Sequence, residues 1–368
     1  MDVDYRRLVA RIEAVNDATN PNEDEDAHIA KIRKWIQGNN HMNYVEHARN
    51  KERRYEGTCE WLFKSEKFRR WLADDVDAIP ALWLHGKAGA GKSTLCSVAI
   101  EYVQEKKQRS AVFFFLNFKS QPSRLQLLKD LACQLLDVLA KQVRRSTRTL
   151  RLFLKFSGDE FPYVESMVQE LLSLVSPVFI FIDGLNEVGG LGLVTGRSDA
   201  QNEIQAVDSF LKFLMGEAHN AEKKVRLWCS SQYAEPATAW MEGFSLLPVD
   251  EDAVSDDVNN FIRDGIISKL LRTGKSLDAC LSTALALYIK AKGNFRWASL
   301  MIDSVNRCTE DEDMIARAER GLPGDLNDYY AECLTRLKNK DLLDERESGV
   351  PTRLSRYERC CMKFDELC

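Results

Sequence analysis

The sequence predicts an α/β fold with a doubly wound, mostly parallel sheet, preceded by a helical N-terminal segment and followed by a small helical domain. Three observations lead to this prediction. A glycine-rich motif joins a strand pattern to a helix pattern, short buried strands alternate with helices from about residue 80, and the strand pattern stops after about residue 250. Buried strands that are separated by helices are typical of a parallel sheet.

The glycine-rich motif, residues 86–94, fits G-x-x-x-x-G-K-[ST], which is the phosphate-binding P-loop. Its glycines let the backbone turn tightly and direct successive N–H groups at one anion. Lys92 would supply a cation to the β- and γ-phosphates of ATP or ADP, and the Ser93 hydroxyl would ligate Mg²⁺. The predicted nucleotide-binding residues are Gly86, Gly89, Gly91, Lys92, Ser93 and Thr94. The predicted fold is therefore that of a P-loop NTPase.

A second motif supplies the metal ligand that a P-loop alone lacks. Residues 178–182 are five apolar residues, and Asp183 follows them at the carboxyl end of a predicted strand, where open α/β sheets bind ligands. We expect Asp183 to hold Mg²⁺ opposite Ser93, and Glu187 to polarise the attacking water. The two motifs are about ninety residues apart, which leaves room for a further strand. A helix-cap role for Asp183 and a surface role for Glu187 stay open.

A third element, residues 225–232, reads as a buried strand that ends in small polar residues. In ATPases of this kind the end of this strand can sense the γ-phosphate. Ser231 and Gln232 can donate hydrogen bonds but carry no charge, and Gln232 is the predicted catalytic sensor. A strand end that is merely capped by serines is the alternative.

The remaining pattern divides the chain into four regions. Their predicted ranges are a helical N-terminal region with an acidic linker (1–55), the nucleotide domain (56–250), a helical domain (251–340) and a charged, disordered tail (341–368). Strands are predicted at 81–85, 111–116, 178–183, 225–230 and 245–249, and helices at 123–143, 164–175, 258–271, 277–291, 295–305 and 326–337. Residues 189–202 are glycine-rich and polar, and are predicted to form a mobile loop.

Composition excludes several functional classes. The formal net charge is −5, so a general attraction to nucleic acid is not expected. Ten cysteines occur without a C-x-x-C pair, which argues against a zinc or thioredoxin-like motif. No apolar run reaches membrane-spanning length and the N-terminus lacks a signal sequence, so a cytoplasmic location is expected.

Four ordered blocks resemble the fungal NACHT-type P-loop proteins and the allied nephrocystin-like N-terminal P-loop domain, which are NLR-like signal-transducing ATPases with numerous domains (STAND). The blocks are residues 57–62, residues 82–94 (Walker A), residues 181–187 (Walker B) and residues 322–326, and the resemblance extends from about 55 to 338. It implies a switch that rests with ADP, signals after exchange to ATP through self-association or another signalling protein, and uses hydrolysis as a timer. In fungi such proteins are linked with self/non-self recognition and incompatibility.

Two positions depart from the family pattern. Asn186 stands where the family usually has Asp, and Gln232 stands where it usually has Arg. Loss of the arginine removes a charge-assisted contact to phosphate, so slow or impaired hydrolysis is expected alongside intact binding.

Members of the resembled family normally continue into a winged helix and a repeat array. Because this sequence ends after the helices, a truncated paralogue, a partial gene product and a stand-alone module all stay open.

Other functions are also compatible with these motifs. An active ring-forming ATPase would need an arginine finger in trans, for which Arg226, Arg263 and Arg272 are candidates without a recognisable motif. A non-enzymatic interaction module with a vestigial P-loop is a further alternative. A small-molecule kinase and a GTPase are less favoured, because no acceptor pocket and no Asn-Lys-x-Asp motif can be read.

Overall fold

A computed structural model describes residues 40–74, 78–117, 122–141, 161–189, 199–220, 224–270 and 274–321, together with residues 33, 34, 36 and 38. The described residues form two compact units. The first lies within residues 1–86 and 92–248, and the second within residues 87–91 and 249–368. Several sequence predictions fall outside the described residues, among them most of the helical N-terminal region, the candidate Arg272, the sequence block at 322–326, the helix at 326–337 and the tail at 341–368.

The first unit is built on a sheet of five strands. They are β1 (Ala81–Gly86), β2 (Ser110–Phe115), β3 (Val178–Asp183), β4 (Val225–Ser231) and β5 (Ser245–Val249). Their order is β2-β3-β4-β1-β5, and the β2–β3, β3–β4 and β4–β1 pairs are parallel. This is the predicted P-loop NTPase fold. Each predicted strand is present to within one residue at either end, and β4 separates the P-loop strand β1 from β3 in the sheet.

Helices cover both faces of this sheet. The first unit contains α1 (His41–Glu52), α2 (Glu60–Lys64), α3 (Glu66–Leu72), α4 (Lys92–Glu101), α5 (Arg124–Lys141), α6 (Phe161–Val175), α7 (Asp199–His219) and α8 (Ala237–Trp240). Side chains of β3 alternate between the faces. Ile180 and Ile182 lie in the core that includes buried residues of α5, α6 and α7, whereas Phe179 and Phe181 contact Trp71 of α3 at ring distances of 5.0 and 5.5 Å.

The edge strand β2 is protected by side chains from two helices. Asn43 of α1 accepts a hydrogen bond from the Phe115 N–H at 2.9 Å, and Gln134 of α5 both accepts from the Phe113 N–H and donates to the Phe113 carbonyl, each at 2.9 Å. These amides satisfy edge groups that would otherwise be open to pairing with another strand. All three phenylalanines at 113–115 in this strand are buried.

The helical segment after Thr58 is divided into two short helices. The N-cap of α2 is Cys59, with φ 71°, and the Thr58 hydroxyl donates instead to the Tyr55 carbonyl at 2.6 Å. Ser65 then separates α2 from α3 and caps α3 by accepting from the Phe68 N–H at 3.5 Å. The sequence pattern could not reveal this break, because both short helices place apolar residues at helical spacing.

The predicted loop at 189–202 is partly wrong. Helix α7 begins at Asp199, so the last four residues of that range are helical. An aspartate at the first position of a helix is favourable, because its charge complements the helix dipole. Residues 190–198 lie outside the described part of the chain.

The second unit contains four helices among its described residues. They are α9 (Glu251–Leu270), α10 (Leu277–Ala291), α11 (Phe295–Val305) and α12 (Asp311–Arg320). Helix α9 begins seven residues before the predicted start, and α12 was missed by the sequence analysis. The reason is that α12 buries only Met314 and Ala318, too few apolar positions for a clear periodic pattern.

Candidate nucleotide-binding site

The P-loop joins β1 to α4, as its motif requires. Lys92 is the first residue of α4, and its Nζ donates to the Gly86 carbonyl at 3.0 Å. Gly89 and Gly91 have φ of +77° and +86°, which residues with a side chain rarely adopt. Ser93 and Thr94 follow in the first turn of α4, and both are half-buried. The residue types and backbone conformations that a phosphate-binding loop needs are therefore present in order.

Asp183 ends β3 and is only 5% exposed. Its carboxylate accepts hydrogen bonds from the Ser230 and Ser93 hydroxyls, and the Gly184 N–H donates to the Ser230 carbonyl at 3.1 Å. The Ser93 contact joins the P-loop helix to the end of β3. A hydroxyl and a carboxylate at this junction are the two protein ligands predicted for Mg²⁺, so the structure brings together residues that lie ninety positions apart in the chain.

Burial opposes the charged forms of both key side chains. It raises the pKa of Asp183, although the hydrogen bonds from Ser230 and Ser93, the positive charge of Lys92 and the Gly184 N–H act in the opposite direction. Burial lowers the pKa of Lys92, and the negative charges of Asp183 and Glu187 partly restore it. The site thus holds opposite charges in a poorly solvated environment. In such an environment each interaction with a bound phosphate or metal ion is stronger than it would be in water.

The turn after Asp183 requires glycine. Gly184 has φ of +82°, and a Cβ at this position would overlap the Leu116 carbonyl oxygen. Residues 185–187 then form a single 3₁₀ turn, in which the Leu185 side chain is fully buried. This turn fixes the backbone of Glu187, whose carboxylate acts electrostatically on Lys92. Glu187 therefore lies near Lys92, as its predicted role in orienting water requires.

Asn186 and Gln232, the two positions that depart from the family pattern, contact each other. The Asn186 Oδ1 accepts a hydrogen bond from the Gln232 N–H at 2.9 Å. This bond ties the turn after β3 to the end of β4. The Asn186 side chain therefore has a structural role, and the Gln232 backbone is held beside the site.

The two serines before Gln232 have different partners. The Ser231 hydroxyl accepts from Trp83 Nε1 at 2.8 Å and donates to the Gln232 carbonyl at 2.8 Å, so it supports the strand end. Ser230 donates to Asp183 and was not singled out by the sequence analysis. Strand register could have revealed it, because Asp183 is paired with Ser230 across the β3–β4 ladder.

Asn294 is a second residue that the sequence analysis missed. The second unit includes the loop segment 87–91, and within that unit the Asn294 Nδ2 donates to the Ala88 carbonyl at 3.2 Å while the Phe295 N–H donates to the Gly89 carbonyl at 3.0 Å. Asn294 also caps α11 by accepting from the Trp297 N–H at 3.0 Å. An asparagine before an apolar helical run predicts the cap, but nothing in the pattern indicates the contact with the loop.

The residues at this site suit a Mg²⁺ ion that is also bound by phosphate and water, rather than a metal ion that is coordinated by protein side chains alone. Among the described residues, no group of three or more His, Cys, Asp or Glu side chains is placed to hold a metal. Mg²⁺ keeps several waters and is usually bound through one or two carboxylates together with substrate phosphates. Asp183 and Ser93 match that pattern.

The described part of the chain also contains no helix that is long and apolar enough to cross a membrane.

Residues 57–232 match the family model "Nephrocystin 3, N-terminal". No curated protein matches the sequence. Among solved structures, C. elegans PCH-2 is similar at 13% identity and a TM-score of 0.38, covering 76% of this chain and 66% of that chain. Rhizobiales Trip13 is similar at 12% identity and a TM-score of 0.35, covering 88% of this chain and 97% of that chain.

The fold and the site define a nucleotide-binding domain of the P-loop NTPase class. Over the range from just before α2 to the end of β4, this domain is similar to the N-terminal domain of nephrocystin 3. That range contains the P-loop, the strand that carries Asp183 and the strand end at Gln232.

Proposed function

We propose that this protein is an ATP/ADP-binding regulatory switch of the NACHT type, in which hydrolysis is slow or impaired. The observation that carries the proposal is a difference between the residues expected to bind the nucleotide and those expected to hydrolyse it. The residues for nucleotide and metal binding converge, whereas two positions that support hydrolysis in the resembled family carry uncharged amides.

The binding half rests on Lys92, Ser93 and Asp183. Lys92 and Ser93 lie at the start of α4, and Asp183 contacts Ser93 from the end of β3. Lys92 would neutralise the β- and γ-phosphates, and the loop N–H groups between Gly86 and Lys92 would bind them. Mg²⁺, when bound, would neutralise charge on the β- and γ-phosphate oxygens. Ser93 and Asp183 would hold it, and the Ser230 hydroxyl would keep the carboxylate oriented.

The hydrolytic half is weaker. Asn186 cannot act as a base, and its Oδ1 is engaged by the Gln232 N–H. Glu187 is the acid that remains in the turn and would orient water. Gln232 can offer the γ-phosphate a neutral hydrogen bond, which is roughly half as strong as the charge-assisted bond of an arginine. A slow reaction suits a timer, because the nucleotide state then persists long enough to be sensed.

The biological setting follows from the resemblance of the four sequence blocks. We infer a cytoplasmic protein that signals by self-association or through another signalling protein, in fungal self/non-self recognition or an innate-immunity-like pathway. Nucleic acid is not among its proposed partners, since the net charge is −5.

Thermal unfolding with and without nucleotide tests this function. Wild type, Lys92→Ala and the control Lys212→Ala would each be measured with MgADP, MgATP and MgGTP; Lys212 is an exposed lysine paired with Asp208 in α7. A ligand at a hundredfold over its Kd stabilises the folded state by about 2.7 kcal/mol. For a domain of this size that raises Tm by about 5–10 °C.

We expect the rise with adenine nucleotides in wild type and Lys212→Ala, and its loss in Lys92→Ala. We also expect slow ATP hydrolysis in the same preparations of wild type and Lys212→Ala. Unchanged stability with every nucleotide, in folded and nucleotide-free protein, would refute a working site and favour an interaction module with a vestigial P-loop. Rapid turnover in stable rings would instead favour an active ATPase.

A further inference from the structure

The first unit contains a cavity of about 300 Å³ at the amino end of its sheet. Arg109 lines this cavity and directly precedes β2, and Leu72 and Ala73 line it from the end of α3, upstream of β1. Gly86 and Lys92 of the nucleotide site lie at the carboxyl end of β1. A strand of six residues is about 20 Å long, so the cavity and Lys92 lie at opposite ends of the sheet. The nucleotide site therefore does not account for this cavity.

Aromatic rings form one part of the cavity wall. The Phe63 and Tyr102 rings stack with their centres 4.3 Å apart, and both residues are partly exposed. Phe68 is fully buried, and its ring lies 5.9 Å from that of Phe63 and 6.1 Å from that of Tyr102. The wall therefore offers an apolar surface against which a flat ring can pack.

Three cations also line the cavity, namely Arg69, Lys107 and Arg109. The Lys107 N–H donates to the Tyr102 carbonyl at 3.0 Å, in a π-helical turn (Tyr102–Lys106) that continues α4. This wide turn brings the Lys107 ammonium to 5.5 Å from the centre of the Tyr102 ring. The Arg69 guanidinium donates to the Lys64 carbonyl at 3.0 Å. Two of the cations are therefore held beside the rings by the local backbone.

Only one of these three cations is paired with a carboxylate of the described residues. The Arg109 guanidinium donates to Asp74 at 2.5 Å and to the Leu72 carbonyl at 2.6 Å. No carboxylate in the described part of the chain pairs with Arg69 or Lys107. Two positive charges thus remain at one cavity of a chain whose formal net charge is −5, and ion pairing does not explain them.

We propose that this cavity is a second ligand site, which binds a phosphorylated aromatic ring. The ring would pack against Phe63 and Tyr102, and the phosphate would bind the Arg69 guanidinium and the Lys107 ammonium. A phosphate monoester carries a charge of about −1.5 to −2 at neutral pH, which complements these two cations. The cavity volume lies at the lower limit of small-molecule sites, which suits a single ring with one substituent.

Saturation-transfer NMR of the full chain, titrated with three probes, tests the proposal. Phenyl phosphate has both the ring and the charge, benzyl alcohol has the ring alone, and methyl phosphate has the charge alone. We expect phenyl phosphate to bind at least about tenfold more tightly than either of the others, because only this probe uses both parts of the wall. A capped phosphotyrosine peptide distinguishes the source of the ligand. Weaker binding than that of phenyl phosphate assigns the cavity to a free small molecule, and tighter binding assigns it to a phosphorylated side chain of a partner.

Two charge reversals of equal size locate the site. Arg69→Glu/Lys107→Glu reverses two exposed cations of the cavity, whereas Lys64→Glu/Lys106→Glu reverses two exposed lysines that do not line it. The affinity for phenyl phosphate should fall at least about tenfold in the first variant and stay within about twofold of wild type in the second. Phe63→Leu should lower this affinity about fivefold, because the aromatic ring is lost while an apolar side chain stays.

Lys92→Ala should bind phenyl phosphate as wild type does, because Lys92 lies at the other end of the sheet. Absent binding of phenyl phosphate, or equal binding of methyl phosphate, would overturn the proposal. An equal loss in the two charge reversals would also overturn it, since that result shows a general attraction to anions. A loss in Lys92→Ala would place the probe at the nucleotide site and would contradict the proposal as well. The comparison of the three probes needs only wild type, so it decides the matter even if a charge reversal unfolds the chain.

Discussion

Replacement of Asp183 by Asn should make the nucleotide-free protein more stable than wild type, and the MgATP-bound protein less stable than wild type. The carboxylate is 5% exposed, and burial raises its pKa above the ordinary 3.8. The folded protein therefore takes up a proton at higher pH than the unfolded chain does. The protonated Asp183 therefore favours the folded state at acid pH. This contribution to the free energy of unfolding is lost as the pH rises through the raised pKa, and it is absent at neutral pH.

The asparagine keeps the shape and an oxygen that can accept from Ser230, but it has no charge to bury. Removal of a poorly solvated carboxylate should stabilise the free protein, while Lys92 loses a favourable neighbour, so the net gain is on the order of 1 kcal/mol. That corresponds to a rise in Tm of about 2–4 °C. The variant should bind Mg²⁺ weakly and lose most of the roughly 2.7 kcal/mol that saturating MgATP gives wild type.

The assay is urea unfolding of wild type, Asp183→Asn and the surface control Asp208→Asn, from mildly acidic to neutral pH, with and without MgATP. Without nucleotide, Asp183→Asn should equal wild type at the acid end and exceed it as the pH rises. With MgATP at neutral pH, wild type should be the more stable. The control should follow wild type throughout, within about 0.5 kcal/mol. A variant that is less stable than wild type without Mg²⁺, or that keeps the full response to MgATP, would refute this reasoning.

Two further predictions concern the turn and the strand end beside the site. Gly184→Ala should cost about 2–3 kcal/mol in urea unfolding, because it combines a positive φ with a clash against the Leu116 carbonyl. Gly57→Ala, at φ +81° in open space, should cost about 1 kcal/mol, and equal losses would argue against the clash. Gln232→Arg should raise ATP turnover about tenfold with unchanged binding, measured by phosphate release. Gln232→Lys should gain less because it lacks the planar fork, and an unaltered rate in Gln232→Arg would exclude a sensor role.

The strands of the nucleotide domain could be predicted almost to the residue. Buried parallel strands are continuous apolar runs bounded by polar or turn residues, as in 178–183, so their limits are visible in the sequence. Helix limits were less accurate where apolar spacing was weak. Helix α12, with two buried residues, was missed for that reason, and the polar first turn of α7 was assigned to a loop.

Residue roles that depend on one local motif could also be predicted. The phosphate-binding loop is specified by residues within one turn of each other, so the sequence alone identified Lys92 and Ser93 as candidates. Asp183 was found because an acid at the end of an apolar strand is itself a local pattern. These remain predicted ligands, and the structure adds that Ser93 contacts Asp183.

Contacts between distant segments were decided only by the tertiary structure. The register of β3 against β4 places Ser230 beside Asp183. The same pairing allows the Asn186 side chain to accept a hydrogen bond from the Gln232 N–H. A sequence specifies which groups a segment can offer. The partner of each group depends on sheet order and strand register, which place residues more than forty positions apart within hydrogen-bonding distance.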